Sequence, residues 1–95
     1  MYAVIFRAEI AQLDAEYLAT AARMRELAME RYGCRQFTAC TEGGREIAIS
    51  YWDSEEQILA WKRDREHLAA QHKGRTSWYA SYTVEVARVE RAYTS

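Results

Sequence analysis

The chain has 95 residues, 49% of them hydrophobic and 13% aromatic, and its thirteen Lys and Arg nearly balance fourteen Asp and Glu for a formal charge of -1. That length sets a prior of one compact domain over residues 1–95, and the composition is that of an ordinary core-forming globular chain. The even charge argues against a general nucleic-acid or anionic-membrane partner. No run approaches the roughly 18 apolar residues of a membrane span, and the opening Met1–Ile10 has no basic n-region or cleavage site of a secretory signal, so a cytoplasmic setting is expected.

Tyr2 to Ala8 is a near-continuous apolar run with only Arg7 polar, as in a strand covered on both faces. From Asp14 the period changes to three and four: Leu13, Tyr17, Ala21, Met24, Leu27 and Ala28 share one side of an amphipathic helix. Asp14 is its N-cap, and Gly33 follows as the residue that tolerates positive φ. Cys34 to Thr41, the Glu42-Gly43-Gly44 turn and Arg45 to Trp52 read as a hairpin. With both cysteines on one strand, Cys34 and Cys40 would lie roughly 20 Å apart at about 3.3 Å per residue and would not bridge.

Asp53-Ser54-Glu55-Glu56-Gln57 carries capping-box spacing and puts acids at the positive end of a helix dipole. The second helical region runs through Gln71, with a candidate break at Arg63 and Asp64, and takes its apolar side from Ile58, Leu59, Trp61 and Leu68; Gly74 supplies the stop. Tyr79 to Tyr93 is a long β-rich segment. The order βαββαβ predicts a ferredoxin-like α+β fold, both helices lying on one face of a four-stranded antiparallel sheet.

Helices cover one face of such a sheet, yet the strands are apolar at both parities: Val4 and Phe6 against Ala3 and Ile5, Ile49 and Tyr51 against Ala48 and Trp52. An exposed apolar face of that size marks an interface. At about 25 cal/mol per Å², leaving it wet would cost as much as a small domain's whole stability. A face-to-face homodimer is expected, its long last strand reaching to the partner. Parity alone does not say which face meets the helices.

There is no glycine-rich phosphate loop, nucleophile elbow or cluster with metal-ligand spacing. His67 and His72 fall about 140° apart on a helix and cannot share a metal from one face. Chemistry-bearing residues concentrate between Trp61 and Tyr79. Trp61 reads as core or cavity wall, His67 as a hydrogen-bonded surface histidine or a pocket acid/base with an unperturbed pKa near 6.5, and Arg88 and Arg91 as interface charges or anion clamps.

The stretch Gly44 to Trp61, continuing through His67, Gln71, Gly74-Arg75, Trp78-Tyr79 and Val89 to Tyr93, resembles the antibiotic biosynthesis monooxygenase family. With the opening Tyr2-Ala-Val-Ile-Phe-Arg7 and the Tyr32-Gly33-Cys34 turn, the likeness spans nearly the whole chain. It implies a dimeric α+β barrel with a cavity between each subunit's sheet and helices. It also implies oxidation of electron-rich phenols or quinols by O₂ without metal or flavin, the substrate anion supplying the electron. A related branch degrades haem with an Asn on the first strand, a Trp on the helix and a His beyond it; this chain has no asparagine, and the position ten after Trp61 is Gln71.

The resemblance thus implies a cofactor-independent monooxygenase acting on a small aromatic or quinol-type molecule, with no cofactor. His67 is then the candidate base with His72 in reserve. Trp61, Tyr51, Trp52 and Tyr82 are the candidate pocket walls, and Arg75 or Arg88 the phenolate partner. The alternative is a dimeric barrel that holds a small hydrophobic ligand without turnover, in a stress-related or sensor role; a bound tetrapyrrole is the third reading.

Overall fold

A computed structural model describes residues 1–95. Strand β1 (Tyr2–Ile10) leads to helix α1 (Ala15–Glu30), the hairpin β2 (Gln36–Glu42) and β3 (Arg45–Trp52), helices α2 (Glu55–Arg63) and α3 (Arg65–Lys73), a single π-helical turn over Gly74–Trp78, and strand β4 (Tyr79–Arg88). The four strands form one antiparallel sheet in the order β2-β3-β1-β4, the ferredoxin-like α+β arrangement that the element order predicts.

The caps fall where the sequence puts them. Asp14 accepts from the Tyr17 amide at 2.8 Å. Ser54 and Gln57 make the reciprocal capping box at the start of α2. The break expected at Arg63 and Asp64 is real: Asp64 ends α2, accepts from the Glu66 amide at 2.8 Å and so starts α3. The Tyr32 hydroxyl donates to the same carboxylate at 2.6 Å and, as the largest influence, holds it below the usual carboxylate range.

Three expectations need correction. The last strand ends at Arg88, opposite Tyr2, because β1 offers no further partner; beyond it only the Val89 amide bonds back, to the Met1 carbonyl. Cys34 does not share a strand with Cys40: its amide is taken by the Ala28 carbonyl at the end of α1, which leaves Cys34 in the core while Cys40 lies exposed on β2. Leu13, Leu59 and Leu68 are exposed. Ile58 and Trp61 carry the buried face of α2, and Leu59 sits one step, about 100°, around the helix from Ile58.

Register settles the parity. Val4 opposes Ser50 and Val86, and Phe6 opposes Ala48 and Val84, so these residues share the helix face with Tyr2, Ala8, Trp52 and Tyr82. The core there is Val4, Leu27, Ala28, Cys34, Trp52, Ile58 and Trp61, with Tyr2, Met24, Tyr32 and Phe37 packed around it. Ala3, Ile5, Ile47, Ile49, Tyr51 and Ala87 lie on the other face, which no element covers, and Ile47 is 46% exposed there.

Helix α3 ends at Lys73 with Gly74 as its C-cap, as expected, but the chain runs straight on into the π turn. The Gly74 φ of -58° is ordinary right-handed helix. What demands glycine is the Tyr79 ring, which a Cβ would approach to 2.8 Å. After the π turn, Ile10 pairs with Tyr79 but Glu9 pairs with Ser81, so Ala80 is the extra residue of a β-bulge. The bulge puts Tyr79 and Tyr82, three residues apart, on the same face with centroids 5.9 Å apart.

Candidate functional site

Trp52, at the end of β3, is fully buried, and its indole N–H donates to Ser50 Oγ at 2.8 Å, so a large ring enters the core with its polar atom satisfied. Trp61 packs on it from α2 with ring centroids 5.2 Å apart. Phe37 meets Trp61 edge-on at 6.1 Å, and Trp61 Nε1 donates to the Met24 carbonyl at 3.2 Å, tying α2 to α1. On the remaining side lies His67, its ring 4.3 Å from that of Trp61 at 74°. The Asp64 break makes this contact, since it starts a new helix whose first turn carries His67 back over α2.

Burial, and next the nearby Lys62 charge, lower the His67 pKa from 6.5 to about 4, with Asp64 opposing. The imidazole is therefore neutral at pH 7 and a poor proton acceptor. Taking a proton from an ordinary phenol, with a pKa about 10, would run uphill by about 8 kcal/mol. His67 Nδ1 lies 3.0 Å from Gln71 Nε2. Nε2 makes no hydrogen bond within the chain and is not sealed, because the one buried side-chain nitrogen or oxygen without a partner is Trp78 Nε1.

A second polar cluster went unread in the sequence. Glu46 on β3 points toward the helices and is buried, and the Tyr17 hydroxyl of α1 donates to it. Tyr79 lies against the same carboxylate. Burial raises the Glu46 pKa, with Tyr79 opposing, and raises that of the Tyr79 phenol further still. Tyr17 stacks edge-on against Trp78 at 5.4 Å and Tyr79 at 5.8 Å, and Phe6 closes the group at 5.3 Å from Tyr79. The available signal was the odd charge in Glu46-Ile-Ala-Ile-Ser50: an acid at the parity of Trp52.

The candidate residues divide accordingly. Trp52, Trp61 and His67 come together. Tyr82 belongs to the Phe6 and Tyr79 group, with its ring 5.8 Å from Phe6. Tyr51 lies on the uncovered face, opposite Ala3. His72, Arg75 and Arg88 are exposed. Two hollows on the surface are lined by neither Trp61 nor His67. One, of about 350 Å³, lies between α1 and α3 and includes Met24, Ala70 and Trp78. The other, of about 190 Å³, lies between α2 and β4 and includes Ile58, Leu59 and Val86. No three His, Cys, Asp or Glu side chains converge to hold a metal ion, and no helix is long and apolar enough to cross a membrane.

A ferredoxin-like sheet with an aromatic and histidine cluster beneath its helices defines a small α+β protein. Comparison with known proteins narrows the class. Residues 1–73 match the model of the antibiotic biosynthesis monooxygenase family, and the chain belongs to that family. It is 45% identical over 91 residues to the uncharacterized protein YqjZ of Bacillus subtilis (strain 168), covering 95% of this chain and 80% of that one. Among solved structures it is similar to SnoaB, a cofactor-independent oxygenase from Streptomyces nogalater, with a TM-score of 0.81, 12% identity and coverage of 99% of this chain and 97% of that one. It is also similar to a conserved protein from Methanosarcina mazei Go1, with a TM-score of 0.78, 11% identity and coverage of 92% and 90%. At such identities the structural likeness speaks for the fold.

Proposed function

We propose that this protein is a cofactor-independent monooxygenase acting on a small electron-rich aromatic of the phenol or quinol class, with Trp61 and His67 at its site. The observation that carries this reading is the edge-on pairing of a neutral His67 with Trp61, with Nε2 free. One unspent polar atom on a ring held by an aromatic core is what such a substrate needs for orientation. In this chemistry a substrate that arrives as its anion passes an electron to O₂, the two radicals combine to a peroxide anion, and a proton from water completes the hydroperoxide. Loss of water leaves a carbonyl: one oxygen atom stays in the product, the other departs as water, and no outside reductant is consumed.

Family membership supports the reading, as does the likeness to a fold that in SnoaB serves a cofactor-independent oxygenase. The proposal includes a homodimer joined through the uncovered face of Ile5, Ile47, Ile49 and Tyr51. It also includes a cytoplasmic setting, in keeping with two free cysteines. The test is oxygen uptake against a panel of quinols, hydroxyquinones and polyphenols. A rate proportional to protein and lost in His67→Ala is expected; no uptake with any member overturns it.

A second reading has its own observation. The hollow of about 350 Å³ between α1 and α3 is lined by Met24 and Trp78 together with the charged Glu16, Arg23, Glu66 and Lys73, and not by His67. A small hydrophobic molecule held there without turnover would shift Trp fluorescence while consuming no O₂.

A further inference from the structure

We infer that Gln71 is a positioning residue that fixes His67 as the Nε2–H tautomer, so that the site presents a hydrogen-bond donor and selects ligands carrying an acceptor oxygen beside an aromatic ring. The inference rests on reading the Trp61 and His67 pair as the ligand site, and it deepens that reading.

Gln71 Nε2 stands 3.0 Å from His67 Nδ1. An amide nitrogen donates and never accepts, so Nδ1 must offer its lone pair. In a neutral imidazole the single proton then resides on Nε2. Gln71 follows His67 by four residues on α3, one helical turn, which keeps the amide over the ring edge. Both side chains are half-buried, so water competes weakly for Nδ1. Trp61 packs edge-on against the same ring at 4.3 Å. The ring is thus held by one polar and one aromatic neighbour, and Nε2 alone is unspent.

A ligand oxygen meeting Nε2 must therefore accept. An ionised hydroxyquinone or a carbonyl fits, whereas a neutral phenol can only place a lone pair there and keeps its proton. His67 receives no proton in this arrangement: it holds a hydrogen bond to an oxygen whose negative charge the ligand brings with it.

The experiment is long-range ¹H–¹⁵N NMR on the full chain labelled at histidine, with His72→Gln assigning the two rings. At pH 7 the wild-type chain should show a pyridine-type shift at His67 Nδ1 and a pyrrole-type shift at Nε2. In Gln71→Glu the ionised carboxylate only accepts, so the two shifts should exchange. In Gln71→Leu, which carries no charge, they should move toward an average. A proton on Nδ1 in the wild type, averaged shifts there, or an unchanged pattern in Gln71→Glu would overturn the inference. The probe for the ligand arm is 2-hydroxy-1,4-naphthoquinone, an anion at neutral pH. It should perturb the Nε2–H signal and bind Gln71→Glu and Gln71→Leu less tightly, by about tenfold in the former. Equal affinity for all three chains would overturn the donor role. If the NMR pattern holds but the probe leaves His67 untouched in the wild type, the Trp61 and His67 ligand site falls while the tautomer assignment stands.

Discussion

The imidazole of His67 meets the indole of Trp61 edge to face, centroids 4.3 Å apart at 74°, and a single residue between two helices, Asp64, makes the meeting possible. Helix α2 ends at Arg63, and Asp64 caps α3 by accepting from the Glu66 amide. Asp64→Ala is expected to cost about 1 kcal/mol for the lost cap and more for the orphaned Tyr32 hydroxyl. Urea denaturation followed by Trp fluorescence checks the total.

His67 makes stability depend on pH with a definite sign. Its pKa falls from 6.5 to about 4 on folding, so between those values the unfolded chain binds more protons. The contribution is complete above pH 6.5 and is lost as pH falls toward 4, by on the order of 3 kcal/mol. Glu46 works the other way, because its folded pKa is raised and the protonated form is favoured in the fold. The measurement is therefore the difference between the wild type and His67→Phe in urea midpoint at pH 7.5 and 4.5: the wild type should lose more.

Tyr17→Phe removes the hydroxyl that donates to buried Glu46. A buried carboxylate left short of a donor costs roughly 1–3 kcal/mol. Replacing acid and phenol together, as Tyr17→Phe with Glu46→Leu, should recover part of that loss, since no carboxylate is then left short of a donor and only the half-buried Tyr79 hydroxyl loses its partner. Thermal unfolding of Tyr17→Phe, Glu46→Leu and the double variant tests the coupling.

Gly74→Ala sets two effects against each other. In right-handed helical backbone alanine should stabilise by about 0.4–1 kcal/mol. Here its Cβ would stand 2.8 Å from the Tyr79 ring, which Phe6 and Tyr17 hold in place. The steric effect should win and destabilise the chain by roughly 1–3 kcal/mol, as measured by urea midpoint.

The uncovered face predicts assembly. Sedimentation equilibrium at micromolar concentration should give about twice the 11.1 kDa chain mass. Ile47→Glu, placing a charge where a side chain now stands 46% exposed, should return the monomer.

What the sequence made legible were features that short-range rules encode: Asp14, the Ser54 and Gln57 box, the Gly43-Gly44 hairpin and the helix break at Asp64. Two apolar parities on β1 and β3 hid which face meets the helices; Glu46 decides it only once Tyr17 is known to reach it across 29 residues. The Trp61 and His67 pair was readable as a neighbourhood, but not the role of Gln71, because amide orientation depends on the exact placement of α3. Tyr51 and Trp52 stand at opposite parities yet both figure as candidate pocket walls, and one sheet face cannot present both. Tyr79 escaped because a strand's period of two separates it from Tyr82.

That last exception acts as a counter. Were the ladder regular, with Ala80 opposite Ile10, Tyr79 would swing to the side where Ile5 and Ile49 stand. Glu46 would then lose a wall, and Gly74 would no longer need to be bare. One surplus alanine at the sheet's edge thus decides on which side of the molecule a phenol ring spends its life.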